Sequence, residues 1–248
     1  MKIQPDTFSI QDYLNQSFAC ECGKAHHTSL KHVVIGPDAL QKTPEVARAL
    51  GAKKVFVVSD IHTHRAAAAQ LETLLVKAGL YVASYMFEDE ELVPDESALG
   101  RLLIALDPAC DLLIGVGTGS INDLCKFTAF KTKMPYCIVA TAPSMDGFAS
   151  SVAPLIVNNL KTTYEVGVAD AIIGDTKILS QAPMPMIMAG IADILGKYTC
   201  LTDWKMAQII NGEYYCETIV QMVRTSLRAV AENLDKAAAR DEQTVGKI

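Results

Sequence analysis

The sequence predicts an α/β fold, in which an N-terminal doubly wound parallel sheet is followed by an all-helical part. Two observations lead to this prediction. Short runs rich in Val and Ile alternate with amphipathic segments up to about residue 150, which is the pattern of strands joined by helices. Beyond residue 175 the apolar residues recur at helical spacing only. Helices of this length between parallel strands cover both faces of a sheet.

Each predicted strand is a short apolar run bounded by charged or turn-forming residues. The runs are KHVVIG (31–36), KVFVVSD (54–60), LYVASYMF (80–87), DLLIGVG (111–117), YCIVAT (136–141) and DAIIGD (170–175). Helices are predicted at 37–52, 63–79, 95–107 and 120–131, with Asp95 as a capping residue and Gly51 and Gly79 as stop signals. Residues 151–167 predict a β-hairpin that turns at Asn158 and Asn159.

These patterns divide the chain into an N-terminal extension (1–30), an α/β domain (31–175) and a helical domain (176–248). In the helical domain, Pro183 and Pro185 fit the start of a helix. Residues 217–241 carry an apolar stripe that predicts one long helix near the C-terminus. Nothing after that helix would cover its apolar face, so we expect the helical domain to be incomplete in this chain.

Composition excludes several classes of function. The net charge of −6, with lysines and arginines scattered along the chain, argues against nucleic acid as a partner. No apolar run reaches membrane-spanning length, and the N-terminus lacks the apolar core of a signal peptide, so we expect a soluble, cytoplasmic protein. The seven cysteines include Cys125, Cys137 and Cys200 in apolar segments, which predicts small buried side chains rather than disulfides.

The segment LLIGVGTGSINDLCK (112–126) ends a predicted strand in closely spaced glycines. Bare backbone at the carboxyl edge of a parallel sheet, together with the start of the next helix, can surround a phosphate group. A side chain at Gly117 or Gly119 would hold the phosphate off, whereas Ser120 would add a hydroxyl group. Asn122 stands where the usual dinucleotide fingerprint has its third glycine, so a tight strand-to-helix turn is the structural alternative.

Two further stretches carry polar groups into positions that suit a site. VATAPSMDGFASSVAP (139–154) follows the next strand, so its hydroxyl groups and Asp146 lie at the same edge of the sheet as the glycines. A polar turn is the alternative. In MAGIADILGKY (188–198), Asp193 lies in an apolar helical segment and must be hydrogen-bonded, paired or metal-bound. A helix cap or a contact with Lys197 is the alternative.

Together, GVGTGSINDLCK, TAPSMDGFASS and AGIADILGKYTCLTDWKMA resemble the sn-glycerol-1-phosphate dehydrogenase family, in particular its bacterial form, within the iron-containing alcohol dehydrogenase and glycerol dehydrogenase superfamily. The resemblance extends from about Lys31 to the C-terminus. It implies an NAD(P)-binding α/β domain joined to a helical domain. It also implies an oxidoreductase of phospholipid biosynthesis, a cytoplasmic homodimer, that reduces dihydroxyacetone phosphate to sn-glycerol 1-phosphate with NADH.

The resemblance assigns roles to residues of this sequence. Asp60 would bind the adenosine ribose and repel the extra phosphate of NADP, so NAD is the expected cofactor, with NADP possible. Asp146 would contact the substrate, and Asp193 would bind both the substrate and a divalent metal, zinc or nickel. The other residues expected at the cofactor are Gly117, Gly119, Ser120, Ile121, Asn122 and Asp123 in the glycine turn and Thr141, Ala142, Pro143, Ser144 and Ser150 in the following loop.

Two features depart from the family pattern. Thr118 replaces a glycine of the commoner GVGGG motif. The family holds its metal with one Asp and two later histidines, yet His26, His27, His32, His62 and His64 all precede Asp193. A catalytic cation usually has three protein ligands, so we expect a C-terminally truncated chain with impaired or absent activity. The alternatives are a glycerol dehydrogenase or other iron-type alcohol dehydrogenase, a lyase similar to dehydroquinate synthase, and a non-catalytic NAD-binding module.

The extension contains CECGKAHHTSLKH (20–32), in which Cys20, Cys22, His26 and His27 are possible zinc ligands. The C-x-C spacing is tighter than that of a usual zinc knuckle, and no second pair follows nearby. Two interpretations therefore remain, a structural metal and a surface-exposed segment at a subunit contact, and the pattern favours the second. Tyr214 and Tyr215, with Trp204, are predicted to pack between helices.

Overall fold

The structure, a computed structural model, describes residues 9–248. Within these residues there are ten strands, which pair in three sheets. The strands are β1 Ser17–Ala19, β2 Ala25–His27, β3 His32–Gly36, β4 Lys54–Asp60, β5 Tyr81–Phe87, β6 Leu112–Gly117, β7 Tyr136–Ala140, β8 Val152–Val157, β9 Leu160–Glu165 and β10 Ala171–Asp175. The strands β1–β2 and β8–β9 form antiparallel hairpins.

The helical segments of the same residues alternate with the strands and then continue alone. They are α1 Thr43–Ala49, α2 Ile61–Thr63, α3 Ala69–Lys77, α4 Glu96–Ala105, α5 Gly119–Thr132, α6 Thr176–Ser180, α7 Met184–Leu195, α8 Lys197–Asn211, α9 Glu217–Ala231, α10 Leu234–Ala238 and α11 Glu242–Val245. One π-helical turn, His64–Ala68, joins α2 to α3, and short 3-10 turns cover Ile10–Asp12, Ala39–Lys42 and Gly147–Ala149.

Six strands form the central sheet in the order β3–β10–β7–β6–β4–β5, and every neighbouring pair is parallel. Its two inner strands β6 and β7 are buried along their whole length, which explains their continuous apolar runs. Separate apolar clusters cover the two faces. One contains Leu102 and Leu124 from α4 and α5, and the other contains Val46 and Leu71 from α1 and α3. The predicted doubly wound α/β fold is confirmed.

The register of the sheet sets the position of the site. Gly117 at the end of β6 pairs with Ala140 at the end of β7, and β4, which ends at Asp60, is the other neighbour of β6. The carboxyl ends of these three strands therefore share one edge, as the sequence predicts.

Two predicted helices differ from the structure. The helix expected at 37–52 is a 3-10 turn followed by the seven residues of α1. The long helix expected at 217–241 ends at Ala231, and α10 and α11 follow it as short segments. Arg240 adopts a positive φ of 61° between them and donates hydrogen bonds to the carbonyl groups of Ser180 and Ala182, which folds the end of the chain back onto α6 and α7.

The helical part buries one side of α9 through Val220, Leu227 and Val230. In contrast, α8 has no buried residue, and Ile209 and Ile210 are more than 70% exposed, at 73% and 72%. Among residues 9–248, each helix is either too short or too polar to pass through a bilayer.

Candidate cofactor and substrate site

A groove of about 540 Å³ opens at the carboxyl edge of the sheet. Residues from four parts of the chain line it, including Asp60 at the end of β4, Thr118 after β6, Thr141 and Ala142 after β7, and Met186 at the start of α7. Ligands of open α/β sheets bind in such a crevice outside the strand ends. The structure therefore brings together Asp60, the turn that follows β6 in segment 112–126 (the glycine turn) and the loop that follows β7 in segment 139–154 (the hydroxyl-rich loop).

The glycines of the turn have different roles. A Cβ atom on Gly117 would lie 2.7 Å from the Cβ of Ile121, so this glycine allows α5 to pack closely against the end of β6. A Cβ atom on Gly119 would meet only the Sδ of Met145, at 3.7 Å, which is an ordinary contact. The sequence argument that a side chain would obstruct a phosphate thus applies to Gly119, whereas Gly117 is required by packing within the chain.

Helix α5 begins in this groove without a capping side chain. The amide groups of Gly119, Ser120 and Ile121 have no hydrogen-bond partner within the described residues. Uncapped N–H groups at the start of a fourteen-residue helix, together with its dipole, attract an anionic group such as a pyrophosphate. Ser120 is half-buried beside them. The donors present here fit the phosphate part of a dinucleotide.

The next residues of α5 turn into the protein. The side chains of Ile121 and Asn122 are buried, at 1% and 0% exposed, so they support the turn from beneath and do not face the groove. Asn122 accepts a hydrogen bond from the hydroxyl group of Tyr136 through its Oδ1, while its buried Nδ2 has no hydrogen-bond partner among residues 9–248. Asp123 is half-buried, and this desolvation raises its pKa to about 6, against the opposing charges of Lys126 and Lys161.

Sequence reasoning missed Lys126, which holds the hydroxyl-rich loop in place. Its ammonium group is buried and donates to the carbonyl oxygens of Ser150 and Val152 and to the Oγ of Ser150, each at 3.0 Å. The Ser150 hydroxyl in turn donates to the Val152 carbonyl at 3.1 Å. The polar atoms of Ser150 are therefore engaged within the loop. A lysine between Cys125 and Phe127 in an apolar helix was the available signal for this contact.

The same loop is packed against α7. Gly190 comes so close to the loop that a Cβ atom on it would overlap the carbonyl oxygen of Pro143. Thr141 is tied to the glycine turn through its amide, which donates to the carbonyl of Gly117 at 3.2 Å. Ser144 is half-buried further along the loop. The loop is thus held at both ends and in the middle, which gives the groove a rigid wall.

Asp60 has a structural task in addition to its place in the groove. Its Oδ1 accepts hydrogen bonds from the amides of His62 and Thr63, at 2.9 and 2.8 Å, and so caps α2. Its Oδ2 has no hydrogen-bond partner within residues 9–248 and remains available to a ligand. The exposed side chain of Arg65 lines the same groove.

A second cavity of about 310 Å³ is lined by Asp146 from the loop and by residues of α7, α8 and α9. Asp193 does not line it, but it is hydrogen-bonded to Asp146. The Oδ2 of Asp193 accepts a hydrogen bond from the amide of Asp146 at 2.9 Å. Lys197 lies 2.5 Å from the Oδ2 of Asp146 and 3.9 Å from the Oδ1 of Asp193. The hydrogen bond with Asp146 raises the pKa of Lys197. Asp193 is thus hydrogen-bonded and paired with Lys197, as one sequence alternative holds.

The residues present do not fit a catalytic metal centre at Asp193. Within residues 9–248, Asp193 belongs to no group of three or more closely placed His, Cys or carboxylate side chains. A lysine ammonium, rather than a histidine, lies beside it. A catalytic cation needs about three protein ligands and an open position. Here the carboxylate of Asp193 already accepts a hydrogen bond from the amide of Asp146, and the carboxylate of Asp146 is paired with Lys197.

The elements of this site recur in known proteins. The family model described as iron-containing alcohol dehydrogenase matches residues 34–183. The chain is 35% identical over 234 residues to the glycerol-1-phosphate dehydrogenase (NAD(P)+) of Geobacillus thermodenitrificans. The aligned residues cover 92% of this chain and 58% of that protein. It is 32% identical over 219 residues to the enzyme of the same name from Methanosarcina mazei, which covers 88% of this chain and 60% of the relative.

Solved structures share the fold at lower sequence identity. Glycerol dehydrogenase from Schizosaccharomyces pombe superimposes with a TM-score of 0.71 at 21% identity and covers 85% of this chain and 53% of that one. An iron-containing alcohol dehydrogenase from Thermotoga maritima gives a TM-score of 0.72 at 14% identity and covers 87% and 63% of the two chains.

The chain spans less than two thirds of the length of these curated relatives. The family match nevertheless covers more than half of this chain and includes the glycine turn and the hydroxyl-rich loop, and it ends directly before α7. The protein belongs to the iron-containing alcohol dehydrogenase family.

Proposed function

We propose that this chain supplies the cofactor-binding half of an NAD(P)-dependent sn-glycerol-1-phosphate dehydrogenase, which reduces dihydroxyacetone phosphate to sn-glycerol 1-phosphate by reversible hydride transfer. The observation that carries the proposal is the groove between the uncapped start of α5 and the loop anchored by Lys126. The names of the relatives at 32–35% identity support the choice of substrate.

The chain's own groups would position the reactants. The nicotinamide cofactor supplies the hydride. The amides of Gly119, Ser120 and Ile121 would hold its phosphates, Asp60 would bind a ribose, and Thr141 and Ala142 would form the wall beside the ring. With these contacts the ring would lie beside Thr141 and Ala142, which begin the loop that carries Asp146.

The second cavity suits the phosphorylated substrate. Lys197 lines it together with apolar side chains of α9, so a substrate phosphate could compete with Asp146 for the ammonium group. Asp146 and Asp193 would then be free to accept hydrogen bonds from substrate hydroxyl groups. Zinc or nickel at Asp193 stays a prediction from the resemblance, and we derive no step through a metal because the described residues give Asp193 no partner ligands.

NADH binding tests the groove directly. Gly119→Ala adds a methyl group that the fold tolerates but that would lie where we place the phosphate, so we expect NADH affinity to fall about tenfold, or ~1.4 kcal/mol. Gly100→Ala is the matched control, because a Cβ atom there meets nothing within 4 Å and Gly100 lies away from the groove, in α4. Equal NADH affinity of the Gly119→Ala and wild-type chains would reject the groove as the cofactor site.

Turnover separates the alternatives once binding is established. Oxidation of NADH with dihydroxyacetone phosphate supports the proposed activity, and turnover with dihydroxyacetone alone supports a glycerol dehydrogenase. NADH binding with no turnover on either ketone is the result expected of a chain that supplies only the cofactor-binding half, and it would equally fit a non-catalytic NAD-binding module. The homodimer and the cytoplasmic location stay predictions from the resemblance and the sequence, and sedimentation of the purified chain would test the first.

A further inference from the structure

Four metal-ligating side chains meet beside the N-terminal hairpin. Cys20 and Cys22 lie in the turn between β1 and β2, His26 lies on β2, and Cys216 directly precedes α9. One ligand atom from each residue lies within 4.8 Å of those of the other three. Across residues 9–248 no other set of three or more such side chains comes as close together. The residues belong to two segments that are 190 or more positions apart in sequence.

The distances between these atoms match those around a tetrahedral metal ion. The Sγ atoms of Cys20 and Cys216 are 3.6 Å apart, and the Nε2 of His26 lies 3.4 Å from the Sγ of Cys22 and 3.5 Å from that of Cys216. Zinc bonds of about 2.3 Å to sulfur and about 2.0 Å to nitrogen, at tetrahedral angles, separate two sulfurs by about 3.8 Å and sulfur from nitrogen by about 3.5 Å. Three of the six distances between the ligand atoms thus match those around a bound ion, and the other three lie within 4.8 Å.

Hydrogen-bond donors surround the sulfur atoms. The backbone amide of Cys22 faces the sulfur of Cys20, that of Lys24 faces Cys22, and that of Ile219 faces Cys216. The thiol of Cys20 donates to the hydroxyl oxygen of Thr218 at 3.4 Å, and the hydroxyl group of Tyr214 lies 3.1 Å from the sulfur of Cys22. Both hydroxyl groups would donate to the sulfurs once these are thiolates. Such outer contacts orient thiolate ligands and compensate their charge.

We propose that Cys20, Cys22, His26 and Cys216 bind a structural zinc ion that fastens the N-terminal hairpin to the start of α9. Three thiolates and one imidazole form a ligand set that selects zinc, and four protein ligands leave no position open for a substrate. The site is therefore distinct from the cavity that Asp146 and Lys197 line.

The position of the site gives the ion a structural role. The strands β1 and β2 have three residues each, and a hairpin of that size is not stable without further contacts. Between the hairpin and α9 the structure leaves an open apolar cleft lined by Phe18, Ile219 and Met222, rather than a closed core. Ile219 and Met222 also line the cavity beside Lys197. A metal clamp would therefore fix one wall of the proposed substrate cavity.

Metal analysis of the purified chain tests the proposal. After expression with added zinc and exhaustive dialysis, mass spectrometry of the elements should find about one zinc ion per chain. Cys22→Ser and Cys216→Ser should each lower the zinc content at least about tenfold, because three ligands bind far more weakly than four. Cys200→Ser is the matched control, since Cys200 is an exposed thiol on α8 outside the cluster, and it should keep the ion.

A measurement on the unaltered chain keeps the test valid if a variant fails to fold. Titration with a mercurial reagent should release the zinc as the clustered thiols react, and circular dichroism should report loss of structure in parallel. The proposal is overturned by wild-type chain with no zinc, by zinc retained in folded Cys22→Ser, or by a disulfide between Cys20 and Cys216 in freshly purified protein. Retention of zinc in Asp193→Asn would support it by separating the ion from the second cavity.

Discussion

The ammonium group of Lys126 lies 3.0 Å from the hydroxyl oxygen of Ser150 and 3.0 Å from its carbonyl oxygen. This contact joins α5, which starts in the cofactor groove, to the end of the loop that forms the groove's other wall. Burial lowers the pKa of Lys126, and the charge of Asp123 partly opposes that effect. A buried ammonium group surrounded by loop oxygens therefore couples the two sides of the proposed site.

Replacing Lys126 with Met should loosen the loop. The carbonyl groups of Ser150 and Val152 would lose their shared donor, which we expect to lower the free energy of unfolding by about 2–3 kcal/mol. NADH affinity should fall as well, because Thr141 and Ala142 at the other end of the loop line the groove. Urea unfolding and NADH titration measure the two effects.

Lys131→Met, on the exposed side of the same helix, should change stability by less than about 0.5 kcal/mol. Equal behaviour of the two variants would contradict the anchoring role.

The close approach of α7 to the loop makes a second prediction. Gly190→Ala would place a Cβ atom on top of the Pro143 carbonyl oxygen, so α7 or the loop must move, and we expect a loss of about 1–3 kcal/mol in stability. Gly100→Ala should instead stabilise the chain by about 0.5–1 kcal/mol, because it adds helix propensity in open space. Thermal unfolding of both variants provides the comparison, and a stabilised Gly190→Ala chain would refute the packing argument.

The raised pKa of Asp123 predicts a pH dependence of stability. The folded chain keeps the Asp123 proton up to a pKa of about 6, whereas the unfolded chain releases it near the ordinary value of 3.8. The unfolded state therefore gains more from deprotonation, and this residue's contribution to stability falls as the pH rises from about 4 to about 6. Asp123→Asn does not titrate, so its stability relative to wild type should increase across that window by on the order of 1–2 kcal/mol.

Denaturant unfolding at pH 4 and at pH 7.5 measures this difference for Asp123→Asn and for wild type. Asp235→Asn, at an exposed position on α10, serves as the control and should show no such change. A difference between Asp123→Asn and wild type that stays constant over the window would mean that Asp123 is not desolvated in the folded chain.

The sequence was sufficient to predict which residues share the carboxyl edge of the sheet, because this follows from the apolar periodicity and order of the strands. Asp60, Thr118 and Thr141 each come at or directly after the end of a buried strand, and parallel strands bring such positions to one edge. Contacts between distant segments could not be predicted in this way. The partners of Lys126 lie 24 and 26 positions along the chain, beyond any helical or strand period.

The metal-ligating cluster shows the same limit more clearly. The sequence favoured a surface-exposed segment for Cys20, Cys22, His26 and His27, because no second pair of ligands follows nearby. The segment is largely exposed, in agreement with that expectation. The sequence did not reveal that Cys216, which is 196 positions from Cys20, completes the group of ligands, while His27 stays exposed and outside it. Trp204 contacts the ring of Tyr215, with centroids 4.9 Å apart, but Tyr214 is exposed, so the prediction that both tyrosines pack between helices holds only for Tyr215. Cys125 and Cys137 are buried as predicted, whereas Cys200 is exposed because α8 buries no residue.

Asp60 allows the cofactor preference to be tested without disturbing the fold. Its carboxylate caps α2 through Oδ1, and an asparagine keeps that acceptor while it removes the negative charge. If the charge repels the additional phosphate of NADPH, Asp60→Asn should tighten NADPH binding about tenfold relative to NADH, or ~1.4 kcal/mol. Arg65 lines the same groove, and its positive charge would then attract that phosphate without an opposing carboxylate at residue 60.

Asp95→Asn is the matched control, because Asp95 caps α4 in the same manner, through the amide of Ala98, and does not line the groove. Fluorescence titration of each variant with both reduced cofactors gives the two dissociation constants. If the ratio of the NADPH and NADH dissociation constants is the same in Asp60→Asn, Asp95→Asn and wild type, Asp60 does not select the cofactor. This conclusion does not depend on whether the chain has catalytic activity.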